Sequence, residues 1–128
     1  MIDEKTKALL KSQQGELDAV LMYQRLAEVV TDERDAKVFR ALANEEWRHA
    51  QVFYAHTHAM LHPKKAKAVL LPRLYRLLGR GRVYPMIAKG EYDAAAKYER
   101  LIADFPEVAR VRDDETRHGD LVASLLKR

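Results

Sequence analysis

Apolar residues recur at three- and four-residue spacing along most of the chain, which is the period of helices. The first such stretch covers residues 3–30, where Glu16, Ala19, Tyr23, Ala27 and Val30 share a face that is apolar except for Glu16 and Tyr23. The polar run from Thr31 to Asp35 breaks it, with Asp32 or Asp35 placed to cap a second helix that ends near residue 58. The inward stripe of that helix is Phe39, Leu42, Glu46, His49 and Phe53, so a carboxylate and an imidazole stand one turn apart within an apolar surface. A third helix is predicted from Tyr84 or Pro85 to Asp104, aligning Glu91, Ala94 or Ala95, Tyr98 and Ile102. Phe105-Pro106-Glu107 supplies a turn. A fourth helix then continues to the C-terminus through Val108, Val111, Glu115, His118, Val122 and Leu125.

Residues 59–89 connect the second and third helices. The segment opens with His62-Pro63 and carries Pro72, Gly79, Gly81 and Pro85, yet Leu70, Leu71, Leu74, Leu77 and Leu78 are spaced like a short amphipathic helix. Its wetter side would hold Arg73, Arg76 and Arg80, with the leucines packed inward. A connection of this length can run from one end of a bundle to the other, whereas the first two helices are joined by a short hairpin turn. The expected class is therefore all-α: a four-helix bundle with a long crossover between helices 2 and 3. At 128 residues, with no low-complexity linker, residues 1–128 are expected to form one domain.

The two helix pairs are copies of one pattern. GELDAVLMYQRLA at 15–27 matches GEYDAAAKYERLIA at 90–103, and NEEWRHA at 44–50 matches DDETRHG at 113–119. The alignment pairs Glu16 with Glu91, Tyr23 with Tyr98, Glu46 with Glu115 and His49 with His118, an internal pseudo-twofold repeat. Spacing supports Glu91 over Glu99 as the partner of Glu115. Glu16 to Glu46 is 30 residues and Glu91 to Glu115 is 24, so each arm of the second hairpin is shorter by about three residues, ~4.5 Å. Glu91 then stays level with Glu115; Glu99 would not.

Composition narrows the chemistry. The chain has no cysteine, which excludes disulfides, thiolate zinc and iron–sulfur sites within it, so any metal must be held by oxygen and nitrogen. The N-terminal residues are charged and no apolar run reaches the length of a membrane span, from which a cytoplasmic protein is expected. The net charge of +4 is uneven: residues 58–89 contain eight basic residues and no acidic ones, leaving 4 − 8 = −4 for the rest. That basic segment, residues 64–89, suits a solvated crossover helix, or else a membrane surface or an acidic protein partner. Nucleic-acid binding is not expected, since no recognition motif accompanies it.

Glu16, Glu46, His49, Glu91, Glu115 and His118 are a donor set for two divalent metals ~4 Å apart, with carboxylates to bridge and cap and one imidazole for each. One Glu from each of two helices plus a Glu-x-x-His from each of the other two is the arrangement of di-iron and di-manganese carboxylate bundles. Arg48 and Arg117, repeated before the histidines, are expected to pair with Glu45 and Asp114 on outer faces. Trp47 is matched by Thr116 and is expected to face outward, and His56, His58 and His62 read as a polar helix end.

On these motifs the chain resembles the ferritin-like di-iron superfamily, and within it rubrerythrin-type (erythrin) domains, over nearly its whole length. The resemblance implies two iron ions held by the six residues above; a manganese site stays open, because Glu and His donors do not separate the two metals cleanly. It also implies that Tyr23 and Tyr98 hydrogen-bond to ligand carboxylates, that Fe(II) is oxidised by dioxygen or hydrogen peroxide, and that the chain forms a homodimer or larger homo-oligomer. Rubrerythrins place a further carboxylate one turn after the third helix's Glu, where this chain has Ala94, and take electrons from a rubredoxin domain that a cysteine-free chain does not contain. An external electron donor is therefore expected. The alternatives are a di-iron oxygenase acting on an apolar substrate at a membrane surface, and a non-catalytic iron storage or delivery protein.

Overall fold

The computed structural model describes residues 3–127 and contains five α-helices, with no strand among the described residues. They are α1 (Glu4–Val29), α2 (Glu33–Thr57), α3 (Ala66–Leu78), α4 (Arg80–Glu99) and α5 (Val108–Ser124), closed by a 3-10 turn at Leu125–Lys127. This all-helical content agrees with a ferritin-like helical bundle. Contacts divide the chain into two compact units, residues 1–73 and 74–128.

In the first unit, α1 and α2 form an antiparallel hairpin, because only residues 30–32 link them. Asp3 caps α1 by accepting the Thr6 N–H at 2.7 Å, a bond that holds its carboxyl below the usual carboxylate range. Of the two candidate caps for α2, the structure uses Asp32, whose Oδ1 accepts the N–H groups of Arg34 (2.8 Å) and Asp35 (3.4 Å). Asp35 is instead buried in the first turn. The core between the helices contains Leu9, Leu26, Phe39, Leu42 and Phe53, with the Tyr23 ring stacked on Phe39 at 5.8 Å. After α2 the chain reverses through His58 at φ 52° and is strapped to α1. Gln13 donates to the Ala59 carbonyl (2.9 Å) and accepts from Thr57, Gln14 donates to the His62 carbonyl (2.7 Å), and the Lys64 N–H donates to Asp18 (2.7 Å). The histidine cluster is thus the helix end that its sequence suggested.

In the second unit α4 and α5 pair through the segment 100–107. Val83, Tyr84, Ile87, Val108, Val111 and Val122 supply its core, and Tyr75 stacks on Tyr84 at 6.4 Å. Three expectations need correction here. Helix α4 begins four residues before Tyr84, because Gly79 at φ 80° starts the turn and accepts the Arg82 and Val83 N–H groups; Pro85 then lies inside the helix, its missing donor opposite exposed Gly81. It ends at Glu99 rather than Asp104, since the last turn tightens to i→i+3 bonds (Arg100 N–H to Lys97 O, Leu101 N–H to Tyr98 O) before Pro106. Finally, α3, whose residues fall in both units, buries only Leu71 of its five leucines and leaves Leu74 half-buried. Ala68, Leu71 and Pro72 form its inward face, while Leu70, Leu77 and Leu78 are exposed.

Candidate metal centre

Each unit buries one Glu from its first helix and a Glu-x-x-His from its second. In the first unit the donors are Glu16 on α1 and Glu46 and His49 on α2. Glu16 stands 29 − 16 = 13 residues before the end of α1 and Glu46 46 − 33 = 13 residues after the start of α2, so the two carboxylates are level. Residues i and i+3 of a helix share a face, which places His49 beside Glu46. Its Nδ1 lies 3.1 Å from Glu46 Oε1 and 3.5 Å from Glu16 Oε2.

The second unit repeats this with Glu91 on α4 and Glu115 and His118 on α5. Here the offsets are 99 − 91 = 8 and 115 − 108 = 7, again level on a shorter hairpin. His118 Nδ1 is 3.3 Å from Glu115 Oε1 and 3.6 Å from Glu91 Oε2. Glu99 is exposed and bonded to Arg112, whose other partner is Asp113, so it is outside this set. That pairing holds the Arg112 guanidinium above its usual range.

The donors fit a divalent metal in spacing and in charge. Within each triad one ligand atom per residue lies within 4.8 Å of the others. Two atoms each ~2.1 Å from one cation stand ~3.0 Å apart at a right angle and ~3.4 Å apart at the tetrahedral angle. The four imidazole–carboxylate separations, 3.1, 3.5, 3.3 and 3.6 Å, lie around those values. They exceed the ~2.7–2.9 Å of a direct charge-assisted hydrogen bond. Two carboxylates and one neutral imidazole also carry the −2 that one divalent ion neutralises, which removes the cost of burying the charges.

Around the triads, Tyr23 is fully buried two turns beyond Glu16, and Tyr98 is buried two turns beyond Glu91. Trp47 is about half exposed, as expected, and Arg117 pairs with Asp114 at 3.5 Å. Two features beside the triads were not legible as site features in the sequence. In the first unit a groove of about 270 Å³ runs past Leu17, Trp47 and Ala50, with the buried Gln13 at its wall. At the matching positions of the second unit, Tyr92 lies across Gly119 and donates to Asp120 at 2.6 Å. A Cβ at residue 119 would fall 2.5 Å from Tyr92 Cε1, so glycine is required for that ring position. The hydrogen bond to Asp120, more than burial or charge, raises the Tyr92 phenol above its ordinary range. The signal available was the departure from the repeat, Leu17 to Tyr92 and Ala50 to Gly119, without any indication of how the two changes compensate.

A family model described as rubrerythrin matches residues 7–126, spanning both triads. No curated protein and no solved structure gave a match.

Proposed function

Since the chain belongs to the rubrerythrin family, within the ferritin-like di-iron superfamily, we propose that its two triads are the ligands of two iron ions per chain and that it oxidises Fe(II) with hydrogen peroxide or dioxygen. The observation that carries this reading is the doubled, buried Glu/Glu-x-x-His triad with ligand-like spacing in both copies. Iron bound there supplies one-electron exchange between its ferrous and ferric states, the chemistry that peroxide or dioxygen reduction requires. The protein's part is to fix that environment. Glu16 and Glu91 each approach from a first helix, while Glu46 and Glu115 each bring an imidazole on the same helical face. Four carboxylates in all match the charge of two divalent ions. Tyr23 and Tyr98 hold ligand carboxylates in orientation through their hydroxyls, and the apolar residues around them keep water away. Sustained turnover draws electrons from an external donor, because the cysteine-free chain has no thiolate cluster of its own.

The test is anaerobic loading with Fe(II) followed by rapid mixing with peroxide or dioxygen while recording the near-ultraviolet absorption of oxo-bridged ferric pairs. Rapid oxidation with either oxidant supports the proposal, and the faster one identifies the preferred co-substrate. Slow oxidation at the rate of free Fe(II) with both would leave only storage or delivery.

A further inference from the structure

Helix α3 exposes the side that an amphipathic crossover helix would be expected to bury. Ala66, Leu70, Leu74 and Leu77 follow one another at four- and three-residue steps and share one face. Leu70 is 52% and Leu77 78% exposed, and Val69 and Leu78 are exposed nearby. On the same wheel Arg73 and Arg76 flank the stripe on one side and Lys67 on the other, all three exposed. They belong to the segment 58–89, which contains eight basic residues and no acidic one. An apolar stripe bordered by cations on both sides is the pattern of a helix that lies in the plane of an anionic bilayer, apolar side down, with its basic side chains reaching the headgroups.

We propose that α3 is a docking surface for anionic lipid membranes. Charge complementarity selects this occupant. A second copy meeting the first through a twofold axis would set the same cations against each other. Nucleic acid would engage the arginines and leave the leucines in water. A lipid surface takes up both. The attachment is peripheral: α3 has 13 residues, ~20 Å of helix, and no described helix is long and apolar enough to cross a membrane. The surface is independent of the metal triads.

The intact protein should float with vesicles of phosphatidylcholine and phosphatidylglycerol at low salt, stay behind with phosphatidylcholine alone, and be released as salt rises. Replacing both exposed leucines, Leu70→Ser with Leu77→Ser, should lower vesicle affinity at least about tenfold with all charges retained. Arg73→Gln with Arg76→Gln should lower it about thirtyfold. Because the chain has no cysteine, Leu77→Cys gives a single position for an environment-sensitive dye. Its emission should shift to the blue on adding anionic vesicles, while a dye at Ala41→Cys, exposed on α2, should not respond. The proposal is overturned by absence of vesicle binding, or by binding that the leucine substitutions leave intact. A dye at residue 77 that senses only self-association, or only added DNA, overturns it as well.

Discussion

The two units bring the same three side chains together on hairpins of different size. The first uses helices of 26 and 25 residues joined by a three-residue link; the second uses helices of 20 and 17 residues joined by the longer segment 100–107. Yet His49 and His118 stand at nearly the same distances from their carboxylates, 3.1 and 3.5 Å against 3.3 and 3.6 Å. The geometry of each triad is set by the i, i+3 relation on one helix and by keeping the facing Glu level, and neither depends on hairpin length. What is free to differ lies one residue away. Leu17 and Ala50 border an open groove in one unit, and Tyr92 and Gly119 pack together in the other.

The largest effects should come from breaking the triads. Replacing Glu46 or Glu115 with Ala should each remove most bound iron, and in proportion, if the copies are equivalent. Loaded protein should gain stability over the metal-free form by roughly 4 kcal/mol at a thousandfold excess over Kd, and either substitution should abolish that gain in thermal melts. A large asymmetry between the two variants would show that one copy is the principal metal holder. Glu16→Gln and Glu91→Gln should weaken loading while leaving the metal-free protein as stable or more so, because each removes a buried charge.

How much of this was legible in the sequence depends on what each feature required. The triads were legible because Glu46–His49 and Glu115–His118 need only helical periodicity, and the repeat identified their partners on the other helix. Choosing Glu91 over Glu99 needed only the level argument, although the real shortening is five to six residues per helix arm, with the longer 100–107 segment making up the remainder. Helix ends were less legible. Gly79 starts α4 through a positive φ that no pattern of apolar residues encodes, and Pro72 and Pro85 sit inside helices despite their usual role as breakers. The exposed face of α3 was unreadable for a different reason: Ala68, Leu71, Pro72 and Tyr75 make a second stripe at helical spacing, and periodicity alone does not say which stripe turns inward.

The difference beside the triads can be tested by exchange. Gly119→Ala should cost about 1–2 kcal/mol in chemical denaturation, because the new Cβ drives the Tyr92 ring off and its bond to Asp120 is lost. Adding Tyr92→Leu, which recreates the Leu17–Ala50 pair, should recover most of that cost. No recovery would mean that the two positions are not equivalent. A smaller change of opposite sign is expected one residue before the lone Glu of each triad. Gly15 and Gly90 lie inside helices with nothing within 4 Å of an added Cβ, so Gly15→Ala and Gly90→Ala should each stabilise by up to about 1 kcal/mol.

The smallest predicted effect is on alkaline stability. Tyr92 has its pKa raised above 10 in the folded protein by its bond to Asp120. The folded state therefore holds its proton longer than the unfolded state, and the contribution is fully present below pH 10 and lost as pH rises through the folded value. Tyr92→Phe should remove this part of the stability decline above pH 10 in alkaline denaturation, whereas Leu17→Phe in the other unit should leave it unchanged.

The most direct measurement of the central claim is the iron content of anaerobically loaded protein, compared among the intact chain, Glu46→Ala, Glu115→Ala and the double variant. Two irons per chain are expected in the intact protein, with loss from each single variant and none bound stoichiometrically in the double. An intact protein that binds no iron stoichiometrically, or a double variant whose iron content equals that of the intact chain, would contradict it.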